Sequence, residues 1–100
     1  MSVKKINQQE FENAKRNEGL LLLDFYADWC GPCQMLAPTI EQVAAEREDV
    51  VVAKINCDDN PEIAMSFGVS SIPTLVVMKD GKVVNTSVGV RPKDAILAML

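Results

Sequence analysis

The chain has 100 residues, 48% hydrophobic and 24% charged, enough for one domain of ordinary globular composition; this excludes disorder. Ten basic residues against 14 acidic ones give a net charge of -4, which excludes a generic nucleic-acid binder with its basic face. There is no histidine, so mechanisms built on imidazole, whether Ser-His-Asp, Cys-His or a His-held metal, are excluded as well.

Val3–Ile6 reads as a short strand. Asn7 is placed to cap a helix over about Gln8–Asn17, with Phe11 and Ala14 at helical spacing and Gly19 past its end. Leu20–Ala27 is mostly apolar without clean alternation, the pattern of a strand covered on both faces. From Cys33 to about Glu46, Leu36, Ile40, Val43 and Ala44 form the buried stripe of a helix. Pro38 lies inside that stripe and is expected to kink it. Val50–Cys57 reads as a second buried strand.

Asn60-Pro61 combines an N-cap with proline at the first helical position, opening a short helix that Gly68 ends. Thr74–Lys79 and Lys82–Val88 are strands separated by Lys79-Asp80-Gly81, a hairpin signal. Arg91-Pro92 starts a last helix whose Ile96, Leu97 and Leu100 face the core. The order β-α-β-α-β-α-β-β-α predicts a single domain over residues 1–100, a three-layer α/β/α sandwich on a mixed five-stranded sheet. No apolar stretch approaches the roughly 20 residues of a bilayer span. The basic start, Met1 to Lys5, is not followed by a secretory h-region and cleavage site. A cytoplasmic monomer without membrane association is the expectation.

Trp29-Cys30-Gly31-Pro32-Cys33 stands where the most apolar strand gives way to the Pro38 helix, the end of a parallel strand at which α/β sites form. Spacing of three puts both cysteines on one helical turn, near enough for a disulfide after a modest adjustment. As a staple the pair is weak: closing a four-residue loop is worth roughly 2 kcal/mol in the chain-entropy estimate. Reversible chemistry explains it better. Cys30 at the helix entrance meets unpaired amides and the positive end of the dipole, which favour thiolate. The dipole contributes about 0.2–1.5 pKa units, so hydrogen bonds from the Cys33 end must help to bring Cys30 toward neutrality. Cys33, one turn deeper, is expected to be more shielded. Cys30 is then the attacking thiol and Cys33 the resolving one. Zinc needs four ligands, which three cysteines do not supply within one chain; a zinc or iron–sulfur site shared between two chains stays open.

Nearly the whole chain resembles the thioredoxin family. The resemblance is carried by Asp24-Phe25-Tyr26-Ala27-Asp28-Trp29-Cys30-Gly31-Pro32-Cys33, then Met35, Ala37-Pro38, Asn60-Pro61, Ile72-Pro73-Thr74, Gly81 and Gly89. It implies a dithiol–disulfide oxidoreductase that binds no cofactor. Its partners would be disulfide-containing target proteins and an NADPH-dependent flavoprotein, thioredoxin reductase. Gly31-Pro32 between the cysteines goes with reductants in this family. Two other duties fit the same residues: a redox-independent binding module or assembly subunit, and a disulfide oxidant or isomerase.

The resemblance also implies roles for the supporting residues. Asp24, an acid inside an apolar strand, would be a buried carboxyl that takes the proton of Cys33 by way of water; the plain alternative is an exposed strand charge. Lys54 would sit beside Asp24 across adjacent strands and tune it, or else snorkel to the surface. The Ile72–Pro73 bond would be cis and face the cysteines, offering the Ile72 backbone to an extended target segment. Trp29, Gly31, Pro32, Ile72, Val88, Gly89 and Val90 would form a flat apolar docking patch. Two departures from the commonest family pattern stand out: Tyr26 where tryptophan is frequent, with a hydroxyl that wants a partner, and Gln34 where lysine is frequent, which removes a charge near the thiols. Cys57 reads as a small buried hydrophobe or a regulatory thiol. Asp28, Asp58 and Asp59 lie toward the same end of the sheet and would favour basic partners.

Overall fold

A computed structural model describes residues 3–16 and 18–100. The elements are β1 (Lys4–Lys5), α1 (Gln8–Ala14), β2 (Leu20–Tyr26), α2 (Gly31–Glu46), β3 (Val50–Asn56), α3 (Pro61–Ser66), β4 (Thr74–Lys79), β5 (Lys82–Val88) and α4 (Lys93–Met99). The strands form one sheet in the order β1-β3-β2-β4-β5. β3 is parallel to β1 and β2, while β4 is antiparallel to both β2 and β5. This is the expected three-layer α/β/α thioredoxin fold.

The order of strands dictates which helix covers which face. The β1-α1-β2 connection steps across the sheet in one direction, and β2-α2-β3 steps back. Parallel crossovers keep one hand, so the two helices fall on opposite faces. On one face Leu21, Leu23 and Phe25 of β2 pack with Phe11 of α1 and Ile63 of α3. On the other, Leu22 packs with Leu36, Ile40 and Val43 of α2 and Ile96 of α4. Both faces of β2 are therefore buried, as its unbroken apolar run requires. Phe67 closes the first core, edge-on to Phe11 at 5.6 Å and tilted against Phe25 at 5.4 Å. Leu97 and Leu100 are half-buried at the margin of the second.

The ends of several elements depart from the sequence reading; β2 and β3 each stop one residue short of it, at Tyr26 and Asn56. β1 is only Lys4–Lys5, with the Ile6 N–H continuing its pairing to the Lys54 carbonyl at 2.9 Å. α1 begins at the Asn7 cap in a full capping box with Glu10, but it ends at Ala14. There Arg16 N–H bonds back to the Asn13 carbonyl at 3.3 Å, a tightened last turn. The expected end at Asn17 lies outside the described residues. Asn60 stands at the N-cap position of α3 but does not cap it: its side-chain amide donates to the Asn56 carbonyl at 3.1 Å. α2 starts earlier than expected, at Gly31, and runs on through Pro38. Among the described residues no helix is long and apolar enough to cross a membrane.

Candidate active site

Cys30 is the N-cap of α2, with extended backbone dihedrals (φ -88°, ψ 108°), and its Sγ accepts the Cys33 N–H at 3.2 Å. That amide is one of the donors every helix start leaves free, here aimed at sulfur. Gly31 and Pro32 form the first turn, where proline loses nothing because its position has no helical amide bond to make. The Cα atoms of Cys30 and Cys33 are 5.2 Å apart and the two sulfurs are bonded as a disulfide. Cys33 is not the more shielded of the pair. Both residues are 4% exposed and pack with Tyr26, Ala27 and Ile72 in one small cluster, because the bond draws both sulfurs into it. They differ in what faces them. The Cys30 Sγ lies 3.9 Å from the Ile72 carbonyl oxygen. Cys33 lines a cavity of about 140 Å³ that Lys54, Tyr26 and Gln34 also line.

Exposed apolar side chains stand next to Cys30 in the chain and on either side of Gly89. Trp29 is 72% exposed, Val88 53% and Val90 45%; Val88 is therefore surface, not core. Ile72 is half-buried and the Ile72–Pro73 bond is cis. Gly89, at φ +94°, donates its N–H to the Pro73 carbonyl at 2.8 Å, which ties the Val88–Val90 segment to the bend before β4 that holds Ile72 and Pro73. A Cβ at Gly31 would meet nothing within 4 Å.

Asp24 sits in β2 on the α2 side of the sheet, 1% exposed, and neither carboxylate oxygen has a hydrogen-bond partner. Burial pushes its pKa up to about 6, against an opposing pull from Lys54. The exposed-charge reading is thereby excluded. Lys54 is its register partner on β3. The lysine is half-buried, with Nζ 4.3 Å from the centre of the Tyr26 ring.

Three relationships escaped the sequence. Asp58 accepts the Trp29 indole N–H at 2.7 Å, so this acid holds the tryptophan as well as adding charge. Asn56 Oδ1 accepts the amides of Asp58 and Asp59 at 2.9 and 3.2 Å and shapes that loop. Tyr26 supplies a ring face to Lys54. Gln34, which lines the cavity with Cys33, donates to the Asp28 carbonyl at 3.0 Å. Cys57 packs half-buried on the α1/α3 core, its thiol pushed up by burial and by Asp58 and Asp24. Among the described residues no three His, Cys, Asp or Glu side chains converge as a metal would need.

The arrangement is a disulfide between residues three apart at the start of a helix, with an exposed tryptophan next to it in the chain. Comparison with known proteins agrees. A family model described as Thioredoxin matches residues 2–100. The chain is 50% identical over 97 residues to a thioredoxin of Bacillus subtilis, covering 96% of this chain and 92% of that one. It is 46% identical over 98 residues to a thioredoxin of Chlamydia caviae, covering 98% and 95%. Among solved structures, mitochondrial thioredoxin 3 from Saccharomyces cerevisiae in its oxidized form superposes with a TM-score of 0.88 at 34% identity, over 97% of this chain and 92% of that one. The chain belongs to the thioredoxin family, and it is a thiol–disulfide oxidoreductase that reduces protein disulfides.

Proposed function

We propose that Cys30 is the nucleophile and Cys33 the resolving thiol. The Cys30 thiolate attacks one sulfur of a target disulfide. A mixed disulfide forms, and the target's other sulfur leaves as a thiolate that takes up a proton. Cys33 then loses its proton to the Asp24 carboxylate by way of water and attacks the Cys30 sulfur. The Cys30–Cys33 bond forms, and the target's second sulfur departs as a thiolate to be protonated. Two electrons have passed to the target, whose two thiolates take their protons from solvent, to which Asp24 returns the proton of Cys33. The observation that carries this assignment is the Cys33 amide donating to the Cys30 Sγ at 3.2 Å, a contact that stabilises negative charge on that sulfur.

Trp29, Gly31, Pro32, Ile72, Val88, Gly89 and Val90 receive the target. The Ile72 carbonyl beside the Cys30 sulfur suits an extended segment laid across the disulfide. Gly31 and Pro32 set the potential of the pair, and Lys54 tunes Asp24. The reductant is an NADPH-dependent flavoprotein of the thioredoxin reductase kind, and the protein acts as a cytoplasmic monomer on residues 1–100 as one domain. The test uses two variants. Cys30→Ser is expected to abolish reduction of a model disulfide protein, whereas Cys33→Ser accumulates mixed disulfides visible by intact mass. Normal turnover by Cys33→Ser removes its resolving role.

A further inference from the structure

Asp24 and Lys54 are directly opposite one another on β2 and β3, and side chains of register partners point to the same face. An ammonium so placed beside a buried carboxylate is strongly attracted to it, because the interior screens poorly. Yet neither Asp24 oxygen has a partner, and the Lys54 ammonium lies over the Tyr26 ring at 4.3 Å. Tyr26 is two residues beyond Asp24 on the same strand and face, diagonal to Lys54. It is 6% exposed and packed with Ala27, Cys30 and Cys33, so its ring is a fixed platform. The electron-rich face competes with the carboxylate for the cation. The cavity lined by Tyr26, Lys54 and Cys33 adjoins this contact.

We infer that Tyr26 is a positioning residue: its ring holds the Lys54 ammonium off Asp24, beside the cavity that reaches Cys33, and so leaves the buried carboxyl able to take up a proton. Among the described residues, the ionisable groups that share this cavity with Lys54 and Tyr26 are Lys5 from β1, Asp28 after β2 and Cys33 from α2, and Glu10 of α1 and Asp59 after β3 line a second cavity with the same two residues. Cys57 interacts with Asp24 from beyond the end of β3, and Leu75, its neighbour on β4, adds no charge. Of these, Lys54 is the cation in register with Asp24, and burial outweighs its pull on the carboxyl. Without the ring, Lys54 moves onto the carboxylate and stabilises its charged form. The inference depends on the proposed role of Asp24 only for its consequence in turnover.

The experiment titrates the Asp24 carboxyl by NMR in the oxidised protein, where Cys30 and Cys33 do not ionise. Tyr26→Phe keeps the ring face and is expected to keep the parent midpoint. Tyr26→Leu is expected to lower it by about one pH unit or more, the effect of an opposite charge brought close. Pentafluorophenylalanine at position 26 keeps the ring's shape but reverses its quadrupole, so the midpoint should fall there too. In a Lys54→Gln background the three substitutions should no longer separate. A midpoint indifferent to the ring's electronics, or one that shifts equally without Lys54, overturns the inference. If the midpoint moves as expected but the pH profile of target release by the reduced protein does not follow, the positioning role stands and the proton-acceptor role of Asp24 fails.

Discussion

Trp29 and Asp58 are joined side chain to side chain across 29 residues of sequence, the indole N–H donating to the carboxylate at 2.7 Å. The tryptophan is 72% exposed, so packing alone does not fix its orientation beside Cys30. Asp58 is fixed in turn by its own amide, which Asn56 Oδ1 accepts at 2.9 Å. Removing the acceptor with Asp58→Ala is therefore expected to loosen the ring without unfolding the chain. Tryptophan fluorescence anisotropy should fall, and KM for a protein disulfide should rise roughly two- to five-fold, the worth of about one hydrogen bond. The kcat for a small disulfide that does not touch Trp29 should be unchanged. Equal losses on both substrates would show that Asp58 acts on the thiols instead.

The buried Asp24 makes stability depend on pH in a defined direction. Its folded pKa of about 6 lies above the usual 3.8. Between these values the folded chain holds more protons than the unfolded one, so stability falls as pH rises through that window. Below it the carboxyl is neutral in both states and costs nothing as a charge. Above it the cost is complete, about 3 kcal/mol at 1.36 kcal/mol per unit. Asp24→Asn removes this dependence while adding a constant penalty for burying an amide. In urea denaturation the stability of Asp24→Asn relative to the parent is expected to climb by about 3 kcal/mol from pH 3.5 to pH 7.5. A difference that is flat across that range would mean the carboxyl is solvated in the fold.

What the sequence disclosed, and what it withheld, follows the range of the interactions involved. Asp80-Gly81 announces a hairpin because two consecutive residues tolerate positive φ, a strictly local demand, and the turn adopts φ +52° and +83°. The Leu20–Tyr26 strand was legible because burial on two faces leaves a run without alternation. The cysteine pair was legible because one helical turn relates residues three apart. The Trp29–Asp58 bond and the Lys54–Tyr26 contact have no such signature, since they depend on which strands become neighbours and in what register. The end of α1 escaped for another reason: residues as far as Asn17 suit a helix well enough, and the tight turn at Asn13–Arg16 is decided by where the chain must enter β2.

The third cysteine tests how the site distinguishes its thiols. Cys57 is half-buried, and its thiol is pushed up first by burial and then by the nearby Asp58 and Asp24 carboxylates. Thiolate is the reactive form, so both effects slow it. In the reduced protein, iodoacetamide at pH 7 is expected to label Cys30 at least about ten-fold faster than Cys57. In urea the rates should converge, because burial and the placed charges vanish together. Mass mapping of the labelled peptides over time decides it. Comparable rates in the folded protein would mean that Cys57 is as reactive as the proposed nucleophile.

The β4–β5 turn offers a control far from the sulfurs, because it lies at the end of the sheet where β2 begins while Cys30 follows the end where β2 finishes. Asp80 Oδ1 accepts the Gly19 N–H at 2.7 Å and the Asp80 N–H returns to the Gly19 carbonyl at 3.1 Å, so this turn clasps the entry to β2. Gly81 stands at φ +83°, and a Cβ there would lie 3.3 Å from the Lys15 carbonyl oxygen. Gly81→Ala therefore meets both left-handed strain, roughly 1–2 kcal/mol, and a tight approach to backbone. Its Tm is expected to fall by roughly 5–15 °C for a chain of this size. The kcat/KM for protein disulfides, measured well below that Tm, should stay at the parent value. A loss of activity at full folding would show that the turn communicates with the cysteines along β2, whose two ends these features occupy.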